Sequence, residues 1–291
     1  MKTMYANLLL LLAALIWGSA FVAQSIGADL VEPFTYLAAR SVLGTLVLIP
    51  LVVYRGKRAA TPWDWKPLII GGICCGAALC AASGAQQMGM TLDASTSKAG
   101  FLTTLYVPMV PVISLILFRK RTNLRIWISI ALAVAGLALL SGLGGGFTAG
   151  EAMLLLCALL FAGHILVVDH FAAKTDPVAL SMMQFAVCAV FAAVIALLTE
   201  ETGWDAMWQA KWSIAYAGIL SSGVAFTLQV VAQKHTNPTV ASLLMSMESV
   251  FSCICGWIIL GDALTGMELI GCGLMFAAII LAQLPQRKKQ A

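Results

Sequence analysis

The chain has 291 residues, of which 61% are hydrophobic and only 10% charged, and its mean hydropathy is +0.94. Soluble domains carry about 25% charged residues, so a water-soluble globule is excluded. Disorder, collagen and coiled coil go with it, because apolar content is high and no period-three glycine or heptad pattern appears. The net charge of +4 does not point to nucleic acid, since the cations sit in loops between apolar runs.

What remains is an all-α polytopic membrane protein. A spanning helix needs roughly 20 apolar residues, and the sequence predicts ten such segments. They cover 6–27, 34–54, 67–89, 95–118, 124–142, 149–169, 177–199, 212–233, 238–260 and 266–285. In the first, Lys2, the run from Leu8 to Ile16 and Gly18-Ser19-Ala20 have the outline of a signal peptide. Nine similar segments follow, and this one has a counterpart later in the chain, so it reads as a spanning helix. Glu32-Pro33, Asp176-Pro177 and Asn237-Pro238 each set a proline at a helix start, with Asp176 and Asn237 as N-caps. The Gly142–Gly146 stretch is the predicted flexible link at mid-chain. Trp63, Trp65, Trp204, Trp208 and Trp212 flank segments and read as interface anchors. The eight cysteines all lie in apolar runs, without zinc spacing, and read as small buried hydrophobes. Gly71, Gly72, Gly76, Gly136, Gly218, Gly223, Gly271 and Gly273 permit close helix packing; Gly271 and Gly273 in the last helix could also support a dimer.

Lys and Arg divide sharply when loops are assigned alternately to two sides. The N-terminal side holds Lys2, Arg55, Lys57, Arg58, Lys66, Arg119, Lys120, Arg121, Arg125, Lys174, Lys234, Arg287, Lys288 and Lys289. The other side holds Lys98 and Lys211, and Arg40 lies within a segment. By the positive-inside rule both termini are expected in the cytoplasm.

The two halves resemble each other. At an offset of 144, Ala14 meets Ala158, Trp17 meets Phe161, Pro33 meets Pro177 and Arg40 meets Gln184. At an offset of 142, Gln87 meets Gln229, Ala99 meets Ala241, Leu102 meets Leu244 and Tyr106 meets Glu248. Five segments per half is an odd number, so the second half enters the membrane from the opposite side. Inverted repeats give two conformations of similar energy, open to opposite faces, which is the requirement for alternating access.

These residues carry a family resemblance. Trp17-Gly18, Pro33, Arg40 and Lys98-Ala-Gly-Phe-Leu in the first half resemble the drug/metabolite transporter superfamily, and within it the ten-helix bacterial EamA-type carriers. So do His164-Ile-Leu, Gln184-Phe, Gln229 to Gln233, Met247-Glu248-Ser-Val and Gly256-Trp-Ile-Ile-Leu-Gly-Asp262 in the second. Ser249 stands where the family often has proline after the glutamate, and Gly261-Asp262 where it often has Gly-Glu. The resemblance implies two EamA-like five-helix repeats, at 6–142 and 149–285, around a central cavity. It also implies transport of small polar metabolites, often export of amino acids or related compounds.

Polar residues inside the segments are the candidate site. A charge at the bilayer centre costs at least ~2.5–3.5 kcal/mol, so such groups tend to line water or a ligand. Glu248 lies near mid-depth of the ninth segment and could bind and release a proton during transport. Arg40 could hold an anionic group, pair with Glu248 or snorkel to the interface. His164 is the one histidine well inside a segment and a second proton-coupling candidate, or a hydrogen-bonded interior residue. Gln184 is the polar counterpart of Arg40. Ser83, Gln87 and Thr91 form one helical stripe, as do Ala225, Gln229 and Gln233; they read as cavity lining or as interhelical bonding. Thr103 and Tyr106 share a face just before Pro108 and Pro111, which are predicted to kink the fourth segment as a hinge. The ninth segment lacks proline, so unequal flexing of the halves is expected. Trp17 and Phe161 could wall the cavity or pack in the core.

The sequence has no Walker A, HExxH or GxSxG motif and no metal cluster, so no cofactor and no enzyme chemistry are expected. The expectation is a secondary transporter of small polar organic metabolites working by alternating access, as monomer or homodimer. A passive channel, or an enzyme acting on a membrane lipid intermediate, is the alternative.

Overall fold

The computed structural model describes residues 3–59, 63–92, 96–119, 122–141, 148–201, 203–260 and 265–283. The Gly142–Gly146 link, Gly261-Asp262, Lys2, Lys120, Arg121, Arg287, Lys288 and Lys289 lie outside the described residues, and of Lys98 only the backbone is described.

With no water in a bilayer core, each backbone polar group needs an internal partner, and a helix supplies one locally. The helices are α1 Thr3–Ala28, α2 Pro33–Arg58 and α3 Trp65–Thr91. Next come α4, in two pieces Thr96–Thr104 and Tyr106–Phe118, and α5 Leu124–Ser141. The second half gives α6 Ala149–Ala172, α7 Pro177–Thr199 and α8 Lys211–Gln233. It ends with α9, in two pieces Pro238–Met245 and Met247–Leu260, and α10 Gly266–Gln283. Eight of these are long and apolar enough to cross a membrane by length and composition; the shorter apolar stretches Leu124–Gly136 and Leu269–Leu281 fall in α5 and α10. Leu197 and Ile258 are 84% and 71% exposed, which suits lipid and not water.

The starts follow local chemistry. Asp176 accepts from the N–H groups of Val178 and Ala179, Asn237 from Thr239, and Asp64 from Lys66. Thr148 and Glu151 form a reciprocal capping box at α6. Glu32 makes no cap of its own; Glu200, just beyond α7, accepts from Phe34 N, Thr35 N and the Thr35 hydroxyl at 2.7–2.8 Å. A short helix at Trp204–Gln209, absent from the sequence reading, precedes α8. Six residues are too few to show a helical period. Trp204 and Trp208 stand exposed along it, and Trp212 at the start of α8.

Packing obeys a two-fold relation between the repeats. The α3–α6 contact recurs as α8–α1, α3–α7 as α8–α2, and α1–α9 as α6–α4. Three pairs, α2–α7, α4–α9 and α5–α10, join equivalent helices. Small residues make the close crossings possible. A Cβ on Gly18 would meet the α9 backbone at Glu248 and Ser252, and one on Gly76 the α7 backbone at Gln184. Gly271 is buried against Gly136 of α5, while a Cβ on Gly273 would meet nothing. Gly271 therefore serves the fold of one chain and offers no surface for a second copy.

α4 is interrupted at Leu105, one turn ahead of Pro108, where a proline's missing donor and its clash with the preceding turn break a helix. The expectation of unequal bending needs correction. The proline-free α9 is interrupted as well, at Ser246. Ser242 and Ser246 donate back to the carbonyls of Thr239 and Leu243 at 2.9 and 2.7 Å, which competes with helical pairing. Both halves are thus broken at the α4–α9 crossing.

Candidate functional site

A hollow with about 480 Å³ of empty space, its mouth included, lies between the repeats. Its enclosed part is only about 40 Å³, room for a few waters in this conformation. From the first repeat it is lined by Trp17, Phe21 and Gln24 of α1, Arg40 of α2, Ser83 and Gln86 of α3, and Thr103 and Tyr106 of α4. From the second come Phe161 and Ile165 of α6, Ser221, Phe226 and Gln229 of α8, and Met245 and Glu248 of α9.

One guanidinium and one carboxyl face this space. Arg40 is buried, and its Nη1 donates to Gln24 Oε1 at 2.8 Å, while its Nε has no partner. Glu248 Oε1 accepts from the Tyr106 hydroxyl at 3.1 Å. The two charged groups do not form an ion pair with each other, so the pairing weighed from sequence is not made. Each is held by a neutral neighbour instead. Trp17 Nε1, Ser83 Oγ and Gln229 Oε1 are also buried without a partner among the described residues. Buried polar atoms are nearly always bonded, so unpaired donors and acceptors of both kinds around one hollow mark a place for a polar ligand or water.

The walls between them are aromatic. Trp17 and Phe226 pack edge-on with ring centroids 4.8 Å apart, and Phe226 meets Phe185 at 5.4 Å. Trp17 and Phe161, equivalent in the repeats, both line the hollow.

Three residues singled out from sequence stand off the lining. Gln87 turns its Nε2 to the Gln24 carbonyl at 3.4 Å, and its neighbour Gln86 faces the hollow, donating to Thr103 Oγ1 at 3.3 Å. His164 Nε2 and Gln184 Oε1 bond each other at 3.0 Å between α6 and α7, with Phe161 and Phe226 edge-on to the imidazole. The bond pairs one polar atom of each, while His164 Nδ1 and Gln184 Nε2 stay buried without a partner among the described residues. Pro108 and Pro111 are not in the lining either.

Gln24, Gln86, Phe21, Ile165, Ser221, Phe226 and Met245 are lining residues that the sequence reading did not name. Gln24 carried a signal, being an amide inside an apolar run. Ser221 carried none. It sits in a π-helical stretch of α8, Ala217–Ala225, whose wider turns shift the face each side chain presents. Further along, Gln229 and Gln233 continue as one stripe, joined at 3.0 Å, and Gln233 reaches the Ile165 carbonyl at 3.2 Å.

Comparison with known proteins agrees with this geometry. The model of the EamA-like transporter family matches residues 4–142 and again 148–284. The chain belongs to the EamA-like transporter family. An uncharacterized transporter of Archaeoglobus fulgidus is 29% identical to it over 283 residues, covering 97% of this chain and 87% of the relative. The threonine/homoserine exporter RhtA of Escherichia coli K12 is 27% identical over 297 residues, covering 97% and 92%. One solved crystal structure has a TM-score of 0.80 at 22% identity, with full coverage of both chains, which is a likeness of fold. The transporter is accordingly a multi-pass membrane protein that works in a lipid bilayer on a small-molecule substrate.

Proposed function

We propose that this transporter exports small zwitterionic amino acids and their close analogues by alternating access of the central hollow. The observation that carries this reading is the placing of Arg40 and Glu248 in one hollow without pairing to each other. A guanidinium held only by an amide is suited to a carboxylate, which it can bind through two N–H groups. The Glu248 carboxyl and the free Gln229 Oε1 are suited to an ammonium. Trp17, Phe161 and Phe226 provide apolar walls for the side chain. The kinship with a threonine/homoserine exporter supports the same substrate class and the outward direction.

The two five-helix units, 6–142 and 149–285, rock against each other around this site, and both termini face the cytoplasm as the Lys and Arg distribution requires. Glu248, in the lining, is the group that exchanges a proton for substrate; His164, bonded to Gln184 off the lining, is not.

The test is counterflow of labelled threonine into proteoliposomes preloaded with excess unlabelled threonine. The expected result is a transient accumulation of label above equilibrium. Entry without that acceleration would make the protein a passive channel, and no entry would remove the amino acid reading.

A further inference from the structure

We infer that the Tyr106 phenol is a built-in stand-in for the substrate's ammonium: it occupies Glu248 in the empty carrier, and a substrate amine displaces it. The inference deepens the proposed function and rests on it.

Tyr106 and Glu248 are equivalent positions of the two repeats, offset by 142, yet they touch. A bond between equivalent residues lies at the two-fold axis, where the repeats meet. Both are buried, at 4% and 5% exposed, and both line the hollow. Each follows directly on the break in its helix, Tyr106 after Leu105 and Glu248 two residues after Ser246. The same crossing is stitched by the Thr104 and Ser249 hydroxyls, which meet each other and the Gly100 carbonyl, one donating to that carbonyl and the other to its partner hydroxyl. One hydrogen bond therefore joins two interrupted helices from opposite repeats at the cavity wall.

That bond is replaceable. At 3.1 Å it is longer than the 2.7–2.8 Å usual for O–H···O pairs. A primary ammonium brings three donors and a full opposite charge, so it adds direct charge attraction that a phenol–carboxylate bond lacks. The arriving amine takes Oε1, and the phenol turns free. Among the described residues no other carboxyl lines the hollow, so the exchange that recognises the amine also loosens the α4–α9 joint at the cavity wall, leaving the Thr104–Ser249 contact in place. A ligand lacking the amine leaves the phenol in place and the two helices joined. Tyr106 is thus a specificity residue for a cationic nitrogen.

The experiment measures threonine and N-acetylthreonine binding to the purified full-length protein by thermal stabilisation. It compares wild type, Tyr106→Phe, Glu248→Gln and the double variant. Without its competitor, Tyr106→Phe is expected to bind threonine about tenfold more tightly, a step of the size one hydrogen bond is worth. N-acetylthreonine, which has no ammonium, is expected to bind both proteins alike. Adding Tyr106→Phe to Glu248→Gln should change nothing further. Threonine bound by Tyr106→Phe no more tightly than by wild type would overturn the inference. Wild type that does not bind threonine would instead remove the amino acid reading. Amide exchange without substrate then decides on the joint: Tyr106→Phe should speed exchange about tenfold in both 96–118 and 238–260, and an effect confined to 96–118 would overturn it.

Discussion

Arg40 and Gln184 occupy the same place in two copies of one plan, and they do opposite things. Arg40, on α2, turns into the hollow with one nitrogen on Gln24 and another unpartnered. Gln184, on α7, turns away and bonds His164. The difference recurs along the repeats. α3 is regular over Cys75–Ser83, while the matching part of α8, Ala217–Ala225, is π-helical. In the third pair, Tyr106 faces its own equivalent, Glu248. Backbone symmetry and chemical symmetry are therefore under separate control here. Likeness of the repeats gives two conformations of similar energy. Unlikeness at the polar positions gives a binding site with a cationic end and an acidic end, which a symmetric pair of repeats could not offer.

The largest expected effect breaks that comparison at its charged member. Arg40→Met removes the guanidinium while keeping its length, so threonine counterflow should fall about 100-fold in kcat/KM. That corresponds to roughly 2.7 kcal/mol, within the range for removing one partner of a buried charged contact. Gln184→Met should stay within about threefold, because its partner is His164 and not the ligand. Equal losses at both positions would mean that the repeats contribute alike, against the account.

A smaller effect sharpens the comparison at the two ends of the α2–α7 pair. At one end Glu200 holds three donors of the α2 start. At the other, Asp176 pairs with Arg55, which is 44% exposed, and also caps its own helix. Glu200→Ala leaves two backbone N–H groups without a protein partner and should lower stability by about 1–2 kcal/mol. Asp176→Asn keeps the cap and loses only a half-exposed ion pair, and should cost no more than about 1 kcal/mol. Thermal unfolding in detergent reads both. A larger loss at Asp176 would reverse the assigned roles.

The ten segments were legible because the bilayer leaves little choice: apolar runs of that length form helices, and prolines with Asp or Asn ahead of them mark the starts at Pro177 and Pro238. The repeat was legible from a few aligned residues, Arg40 with Gln184 and Tyr106 with Glu248 among them. The lining was legible in part, and the misses have physical causes. A stripe drawn at ideal helical spacing chose Gln87, whereas the packing of α3 turns Gln86 inward. The break at Ser246 arises from serine hydroxyls bonding their own backbone, which competes with the helix without any proline to announce it. The π-helical stretch moves Ser221 into the wall through a change of winding that composition does not encode. His164 and Gln184 looked like site residues because polar groups are rare in apolar segments; only tertiary packing pairs one with the other and sets both off the lining.

Reach of one lining position from both membrane faces tests the central claim most directly. Ser83→Cys, in a background with the native cysteines replaced by serine, would be exposed to an impermeant thiol reagent from either side of sealed, oriented vesicles. A hollow shared by two rocking repeats predicts labelling from each face, slowed in both cases by excess threonine. Labelling from one face alone, whatever the threonine concentration, would contradict it.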